Sequence, residues 1–192
     1  MSYIGNKPAN KAVVASDLDP AVITGQTALT DSPASTDEFL ISDAGTLKRL
    51  DASLIGGGKV LQVVTATDST ERNSTSTSFV TASNALSVNI TPSSSSNKVF
   101  VNVSTSTYNG TAGKSVYLTI YRDSTNLGNS NGLIRNLVFG GAAGGSSSCA
   151  ILDSPSTTSQ VTYQVYVRSD SSGTLYLNAN APGTITAFEI AG

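Results

Sequence analysis

The chain has 192 residues with no His, no Trp, one Cys and one Met, and this composition excludes several kinds of chemistry. Without His there is no Ser-His-Asp or Cys-His nucleophile system, no His-ligated zinc and no His-based pH switch. A single Cys supplies neither an intrachain disulfide nor a thiolate zinc cage. A net charge of −2, with 12% charged residues, provides no field for a nucleic-acid backbone or an anionic membrane. We therefore expect a protein or glycan partner.

Residues 1–58 are too poor in apolar side chains to fold around a core of their own. They hold seven acidic and four basic residues, and their apolar residues come in small, separated groups. So few apolar residues cannot bury an independent core, and this segment therefore needs a partner surface. Its one clear element is a hairpin, with strands at 38–42 and 46–50 and Gly45 in the turn between them.

A triple glycine at 56–58 separates this segment from residues 59–192, which follow a strand pattern throughout. Short runs of Val, Ile, Leu and Thr alternate with turn-forming Gly, Pro, Asn and Ser. The predicted strands are 60–66, 78–82, 86–90, 98–107, 115–122, 133–139, 148–152, 160–168, 174–178 and 184–190. The pattern predicts an all-β fold, an antiparallel sandwich of the jelly-roll type. We therefore predict a domain at 59–192, preceded by an extended attachment or oligomerisation segment at 1–58.

Alternation along these strands assigns side chains to faces. In 161–168 the residues Val161, Tyr163, Val165 and Val167 share one face, which predicts a core position for Tyr163. The opposite faces of the strands carry the remaining tyrosines. These outward tyrosines are the candidates for surface recognition or for packing between subunits, because Tyr stacks on sugar rings and is enriched at interfaces. They are Tyr117, Tyr121, Tyr166 and Tyr176.

No motif in the chain predicts a catalytic, metal or cofactor site. A glycan-cleaving enzyme needs two facing carboxylates, and no pattern pairs any two acidic residues of 59–192. The acidic clusters 17–19 and 37–38 are too small for calcium. The glycine-rich segment 140–145 lacks the Lys of a phosphate loop and is expected to be a flexible loop, and Cys149 is expected to be a small buried thiol.

Two stretches resemble tail-fibre and related virion appendage proteins of bacteriophages, particularly those of marine phages. The first is DEFLISDAGTLKRL at 37–50. The second runs from KVLQVV at 59–64 through SFV at 78–80 to LSVNITPS at 86–93 and SNKVFV at 96–101. The opening MSYIGNKP at 1–8 is also similar to the start of such proteins.

The resemblance implies a homotrimer whose N-terminal part attaches to another virion protein and whose C-terminal part faces the host. The expected function is a non-enzymatic virion protein, a small tail fibre or fibre tip that binds the host surface through a glycan or protein receptor. A capsid decoration or head-fibre protein is the alternative, with residues 1–58 clamping the shell. A glycan depolymerase is the third hypothesis, with Asp68 or Glu71 as the carboxylates to test. We expect no cofactor and no nucleic-acid partner. We also expect no membrane insertion, because no segment is apolar over the roughly 20 residues that a membrane span requires.

Overall fold

The computed structural model describes residues 21–25, 27, 34, 36–55, 59–137, 143–170 and 173–192. It divides into two compact units, Met1–Gly56 and Gly57–Gly192. The sequence features at 1–8 and 17–19 lie outside the described residues.

The first unit consists of short local elements. They are a four-residue helix α1 (Ala21–Thr24), a hairpin of β1 (Glu38–Asp43) and β2 (Thr46–Asp51), and a 3₁₀ turn at Ala52–Leu54. The predicted hairpin is confirmed, and Gly45 adopts a φ of 82° in its turn. Four large apolar side chains described in this unit are exposed, Phe39, Leu40, Leu54 and Ile55, with Leu40 74% and Leu54 71% accessible, whereas Ile41 and Leu50 are half-buried.

The second unit is built of eleven described strands in two antiparallel sheets. Their bounds are β3 (Val60–Asp68), β4 (Arg72–Ser74), β5 (Ser87–Ile90), β6 (Lys98–Asn109), β7 (Ser115–Arg122), β8 (Thr125–Asn126), β9 (Ile134–Leu137), β10 (Ala143–Asp153), β11 (Val161–Ser169), β12 (Leu175–Leu177) and β13 (Gly183–Ile190).

The six-stranded sheet is organised around β6. One edge of β6 pairs with β10 over residues 99–109, and the other edge pairs first with β13 and then with β12. The outer strands β3 and β4 pair with β13 and β12. The backbone N–H of Ala191 donates to the carbonyl of Lys59 over 2.8 Å, so the two ends of the unit meet beside the β3–β13 pair.

The five-stranded sheet is organised around β7 and β11, which pair antiparallel. β5 covers the far edge of β11, and β8 and β9 cover the far edge of β7. Alternate residues of β11 are buried, as its sequence predicts, and Tyr163 is completely buried.

The core lies between the two sheets and consists of β-branched and aliphatic side chains from both. Val99, Val101 and Val103 of β6 pack in the same cluster as Leu118 and Ile120 of β7. Cys149 belongs to this cluster, as expected. The predicted all-β antiparallel sandwich is confirmed.

The outer face of the six-stranded sheet carries an apolar row that crosses four strands. Phe188 is the register partner of both Val63 and Phe100, and Phe100 is the partner of Leu152. The Phe100 and Phe188 ring centroids lie 6.1 Å apart, while Val63 and Leu152 are more than half exposed. These four residues, from β3, β6, β10 and β13, are called the apolar row below.

Two local predictions are wrong. The segment 78–82 forms no strand, because only Val80 meets a partner, in a single bridge to Val167. The C-terminal end of the glycine-rich segment 140–145 is not a loop, because residues 143–145 belong to β10 and pair with residues 107–109 of β6. The sequence analysis also missed β4 and β8. In the described part of the chain, no helix is long and apolar enough to cross a membrane.

Candidate recognition surface

The structure brings three of the four predicted tyrosines to one face and leaves the fourth elsewhere. Tyr117, Tyr121 and Tyr166 lie on the outer face of the five-stranded sheet, on β7 and β11, whereas Tyr176 lies on β12 in the other sheet. β7 and β11 pair along their length, and this pairing brings Tyr117, Tyr121 and Tyr166 close together.

Tyr121 and Tyr166 stack directly on each other. Their ring centroids lie 3.9 Å apart with an interplanar angle of 20°, and both side chains are half-buried. They are diagonal cross-strand neighbours, since Tyr166 is the register partner of Thr119. Phe79 adds a tilted ring 6.4 Å from Tyr121. The partly open edge of this stack is suited to an apolar ring face.

Tyr117 lies on the same face but is covered by arginine. It is only 6% exposed, because the guanidinium carbon of Arg168 lies 3.8 Å from its ring centroid and that of Arg135 lies 5.7 Å away. Arg168 also lies 5.3 Å from the ring of Phe79, and it donates to the carbonyl of Ser130. A cation over an aromatic face is attractive, so this arginine stays in place and closes Tyr117 to a ligand.

We call Phe79, Tyr117, Tyr121, Tyr166 and Arg168 the aromatic face. The sequence analysis missed Phe79 and Arg168 as members. Arg168 had a signal, because alternation puts it on the same side of β11 as Tyr166. Phe79 had none, because it lies in a segment that pairs at one residue only.

Tyr176 forms a separate aromatic pair with Tyr108. The two residues are register partners on β12 and β6, and their ring centroids lie 5.3 Å apart. Tyr108 is among the residues that line two cavities. One, of about 440 Å³, reaches β7 and β9, and the other, of about 400 Å³, reaches residues 179–181.

The buried carboxylates of the sandwich are engaged in structural hydrogen bonds. Asp68 accepts from Arg72 Nε at 3.0 Å, from the Thr70 N–H at 2.9 Å and from the hydroxyl of Ser83. The pKa of Asp68 is lowered from 3.8 to about 2, chiefly by the hydrogen bond from Arg72 and further by those from Ser83 and Thr70, which together outweigh burial. Asp68 is therefore ionised at neutral pH.

Glu189 is held in the same way on β13. It accepts from the Ser93 N–H, the Ser93 hydroxyl and Asn97 Nδ2, all within 2.7 Å. Burial by itself raises the pKa of Glu189, but these hydrogen bonds outweigh burial and hold the pKa below its ordinary value. A glycosidase acid needs the opposite shift. Within the described ranges, no group of three acidic or Cys side chains forms a metal site.

Tyr163 and Cys149 are core groups with suppressed ionisation. Burial raises the pKa of Cys149 to about 12 and is the main reason that the pKa of Tyr163 is raised. The Tyr163 hydroxyl donates to Asp153, which is also bound by Arg122. Both Tyr163 and Cys149 therefore remain protonated at neutral pH.

No protein-family model matches the chain, and no curated protein matches it significantly. Among solved structures it is similar to the T13 viral particle of IBDV, at 14% identity and a TM-score of 0.38, covering 78% of this chain and 39% of that chain. It is also similar to a structure of the infectious bursal disease virus Gx strain, at 15% identity and a TM-score of 0.37, covering 78% of this chain and 40% of that chain. A third similar structure is the VP2 subviral particle of infectious bursal disease virus, at 15% identity and a TM-score of 0.37, covering 81% of this chain and 43% of that chain. The chain thus spans about two fifths of the length of these solved chains.

Proposed function

We propose that this chain is a non-enzymatic virion structural protein, a small trimeric tail fibre or fibre tip that attaches the virion to the bacterial surface. Residues 1–58 bind another virion protein, and the sandwich faces the host. The resemblance of residues 37–50 and of the start of the sandwich to phage fibre proteins motivates this assignment.

The observation that carries the proposal is the exposure of apolar side chains in the first unit. Leu40 and Leu54 are more than 70% exposed, and Phe39 and Ile55 more than 40%. Large apolar side chains grouped in a short segment mark a surface that another protein covers. A virion attachment segment has this property, because it is ordered by the particle to which it binds.

The sandwich supplies the receptor-binding part. Its core is complete without the first unit, since every described buried apolar residue lies between Leu86 and Ala187. Its outer surface offers the aromatic face, where the half-buried stack of Tyr121 and Tyr166 could pack against a sugar ring or a protein side chain.

The adsorption of virions to host cells tests the proposal. Purified full-length protein is expected to compete with virions and lower the fraction adsorbed. The Y121A/Y166A variant is expected to compete less well, because it lacks the stack, whereas Y121F/Y166F retains both rings and serves as the matched control. Unchanged adsorption in the presence of saturating wild-type protein would contradict the proposal.

The position of the protein on the particle separates the fibre from the capsid alternative. Electron microscopy of virions carrying a label at residue 192 is expected to place the label on the tail. Label on the head would replace the fibre assignment with a head-fibre or decoration role.

The absence of a chemical step is part of the proposal. It is supported by the lowered pKa values of Asp68 and Glu189, which keep both carboxylates ionised rather than able to donate a proton. Incubation with host polysaccharide is expected to release no reducing sugar. Release that disappears in D68A or E71A would instead establish a depolymerase.

The trimer is proposed to use the apolar row. Val63 and Leu152 are more than half exposed and Phe100 is 37% exposed, and on one side of the row the same sheet face continues with Thr65, Thr186 and Asn102. Isolated apolar residues are common on protein surfaces, but a row across four strands is a contiguous patch of the kind that subunits cover.

A further inference from the structure

The six-stranded sheet has two long strands that each pair with only one other described strand. β10 pairs with β6 over 143–153, and β3 pairs with β13 over 60–68. The backbone N–H and C=O groups on the other edge of each strand join no ladder in the described part of the chain. The edges of the five-stranded sheet are shorter, because β5, β8 and β9 have four residues or fewer. A long unpaired edge is a template for pairing with another chain.

Neither long edge carries the features that usually protect a strand edge. Proteins protect their edges with charged side chains, with Pro or with short strands. Residues 60–67 and 143–152 contain no charged residue and no Pro. The charged residue of each strand is its last, Asp68 in β3 and Asp153 in β10. Both edges are therefore suited to accept another strand.

The directions of the two edges allow antiparallel pairing between copies of the chain. β3, β13, β6 and β10 are neighbours in that order, and each pair is antiparallel, so β3 and β10 run in opposite directions. Rotation about an axis parallel to the strands therefore brings β3 of a second copy antiparallel to β10 of the first. The contacts in a ring of three copies join two different surfaces of the chain, and these two edges are such surfaces.

One register matches the side chains of the two edges on both faces of the sheet. Leu152 opposite Val63 extends the apolar row from one copy into the next. Ile151 opposite Val64 covers two inward side chains that are only partly buried in a single copy. A shift by two residues would place Leu152 opposite Thr65 or Ile151 opposite Gln62, and a shift by one would place outward side chains opposite inward ones. The pairs, with β10 first, are Leu152–Val63, Ile151–Val64, Ala150–Thr65, Cys149–Ala66, Ser148–Thr67 and Ser147–Asp68.

We propose that β10 of one copy pairs antiparallel with the free edge of β3 in the next copy, with Leu152 opposite Val63. The six-stranded sheets of neighbouring copies then form one continuous sheet, and three copies close the ring. The apolar rows of the copies join into a single apolar ring on one face of this sheet. This inference rests on the trimer of the proposed function and adds which edges join the copies.

Hydrogen exchange of the wild-type full chain, followed by ¹H–¹⁵N NMR, tests the pairing. Successive residues of an antiparallel strand alternate between bonding to one neighbouring strand and pointing to the other edge. A free edge would leave every second amide of 63–67 and 148–152 in fast exchange. We expect all these amides to be protected, with exchange roughly a hundredfold or more slower than that of an exposed amide. Protection of every second amide only, in a protein that light scattering shows to be trimeric, would overturn the proposal.

An engineered disulfide tests the register. In a C149A background, which removes the native thiol, S148C/T67C is expected to form covalent dimers and trimers on oxidation. Within one copy, residues 67 and 148 lie in the same row three strands apart. Their separation of roughly 14 Å is too large for a disulfide, so the bond can form only between copies. S148C/N89C is the matched control, because Asn89 is exposed on the edge strand β5 of the other sheet, and it should not cross-link.

Two cross-linking results would overturn the proposal. They are equal cross-linking of S148C/N89C, and equal cross-linking of S148C alone, which would show that β10 pairs with itself. Failure of the proposed function gives a different result. A trimer in which S148C/T67C forms no disulfide overturns this inference alone, whereas a monomer in light scattering overturns the trimer of the proposed function as well.

Discussion

At the scale of single residues, Asp68 joins three parts of the chain through side-chain hydrogen bonds. It is the last residue of β3, and its carboxylate is bound by Arg72 at the start of β4 and by Ser83 in the segment before β5. The carboxylate is 4% exposed, so the loss of its charge would leave these donors without a strong acceptor.

The depressed pKa of Asp68 predicts a loss of stability in acid. In the unfolded chain Asp68 titrates near 3.8 and in the folded chain near 2, so its contribution is present above pH 4 and is lost as the pH falls towards 2. We expect a contribution on the order of 1–2 kcal/mol, because the 39% exposure of Arg72 screens part of the interaction. Urea unfolding of wild type and D68N between pH 2 and pH 7 measures it, with D68N less pH-dependent.

E71Q is the matched control for this measurement. Glu71 is an exposed carboxylate three residues along the chain, and its substitution is expected to leave the pH dependence of the wild type unchanged. A pH profile of D68N that overlays the wild type would contradict the role given to Asp68.

The tyrosines show what the sequence could and could not predict about the candidate site. Alternation correctly placed Tyr117, Tyr121 and Tyr166 outside the core, because the side-chain period of a strand is two. It could not predict that Arg168 covers Tyr117, since this depends on the register between β7 and β11. Nor could it separate Tyr176 from the others, because the assignment of strands to sheets is a long-range property.

At the scale of elements, strands with apolar alternation were predicted and strands without it were missed. The predicted bounds of β7, 115–122, agree with the structure, and those of β11 differ by one residue at each end. β4 consists of Arg72, Asn73 and Ser74, which carry no apolar signal, and it exists because β12 pairs with it. β10 begins at Ala143 and continues through two glycines because the end of β6 is available to pair with them.

The central position of β7 predicts a large stability difference between two leucines. Leu118 is 1% exposed in the core, whereas Leu61 of β3 is 49% exposed. We expect L118A to lower the free energy of unfolding by about 2–5 kcal/mol, because it removes a buried side chain and leaves a cavity. L61A should change it by less than about 0.5 kcal/mol.

Chemical denaturation followed by circular dichroism measures both variants under the same conditions. Equal effects of L118A and L61A would mean that β7 does not lie at the centre of the core.

At the scale of the whole molecule, the two units are expected to differ in their ability to fold alone. Deletion of residues 1–58 should leave a sandwich with the same strand content and a cooperative thermal transition, because every described core residue is retained. Far-ultraviolet circular dichroism and calorimetry test this. An unfolded fragment would show that the boundary at the triple glycine is wrong.

The proposed trimer predicts the mass in solution. Light scattering of the full chain is expected to give about three times the 19.6 kDa monomer mass. F100S/L152S should lower that mass, because it places two hydroxyls in the apolar row, whereas T65S/T67S keeps both hydroxyls at neighbouring positions of the same sheet, removes only two methyl groups and should leave the mass unchanged. A wild-type monomer at micromolar concentration would exclude the trimer.

The apolar row could not have been found from the sequence. Its four members come from strands that are distant along the chain, and each by itself is an ordinary apolar residue in a strand. Only the registers of three separate strand pairs align them. Composition and alternation predict the layers of the sandwich, but they do not determine which outward residues become neighbours.

The hydrogen bond between Ala191 and Lys59 determines how the sandwich would respond to mechanical force. The first residue of β3 and the last residue of β13 lie side by side, so tension applied between them would separate the two strands from one end, one hydrogen bond after another. Pulling at the two ends of this domain would therefore be opposed by few hydrogen bonds at a time.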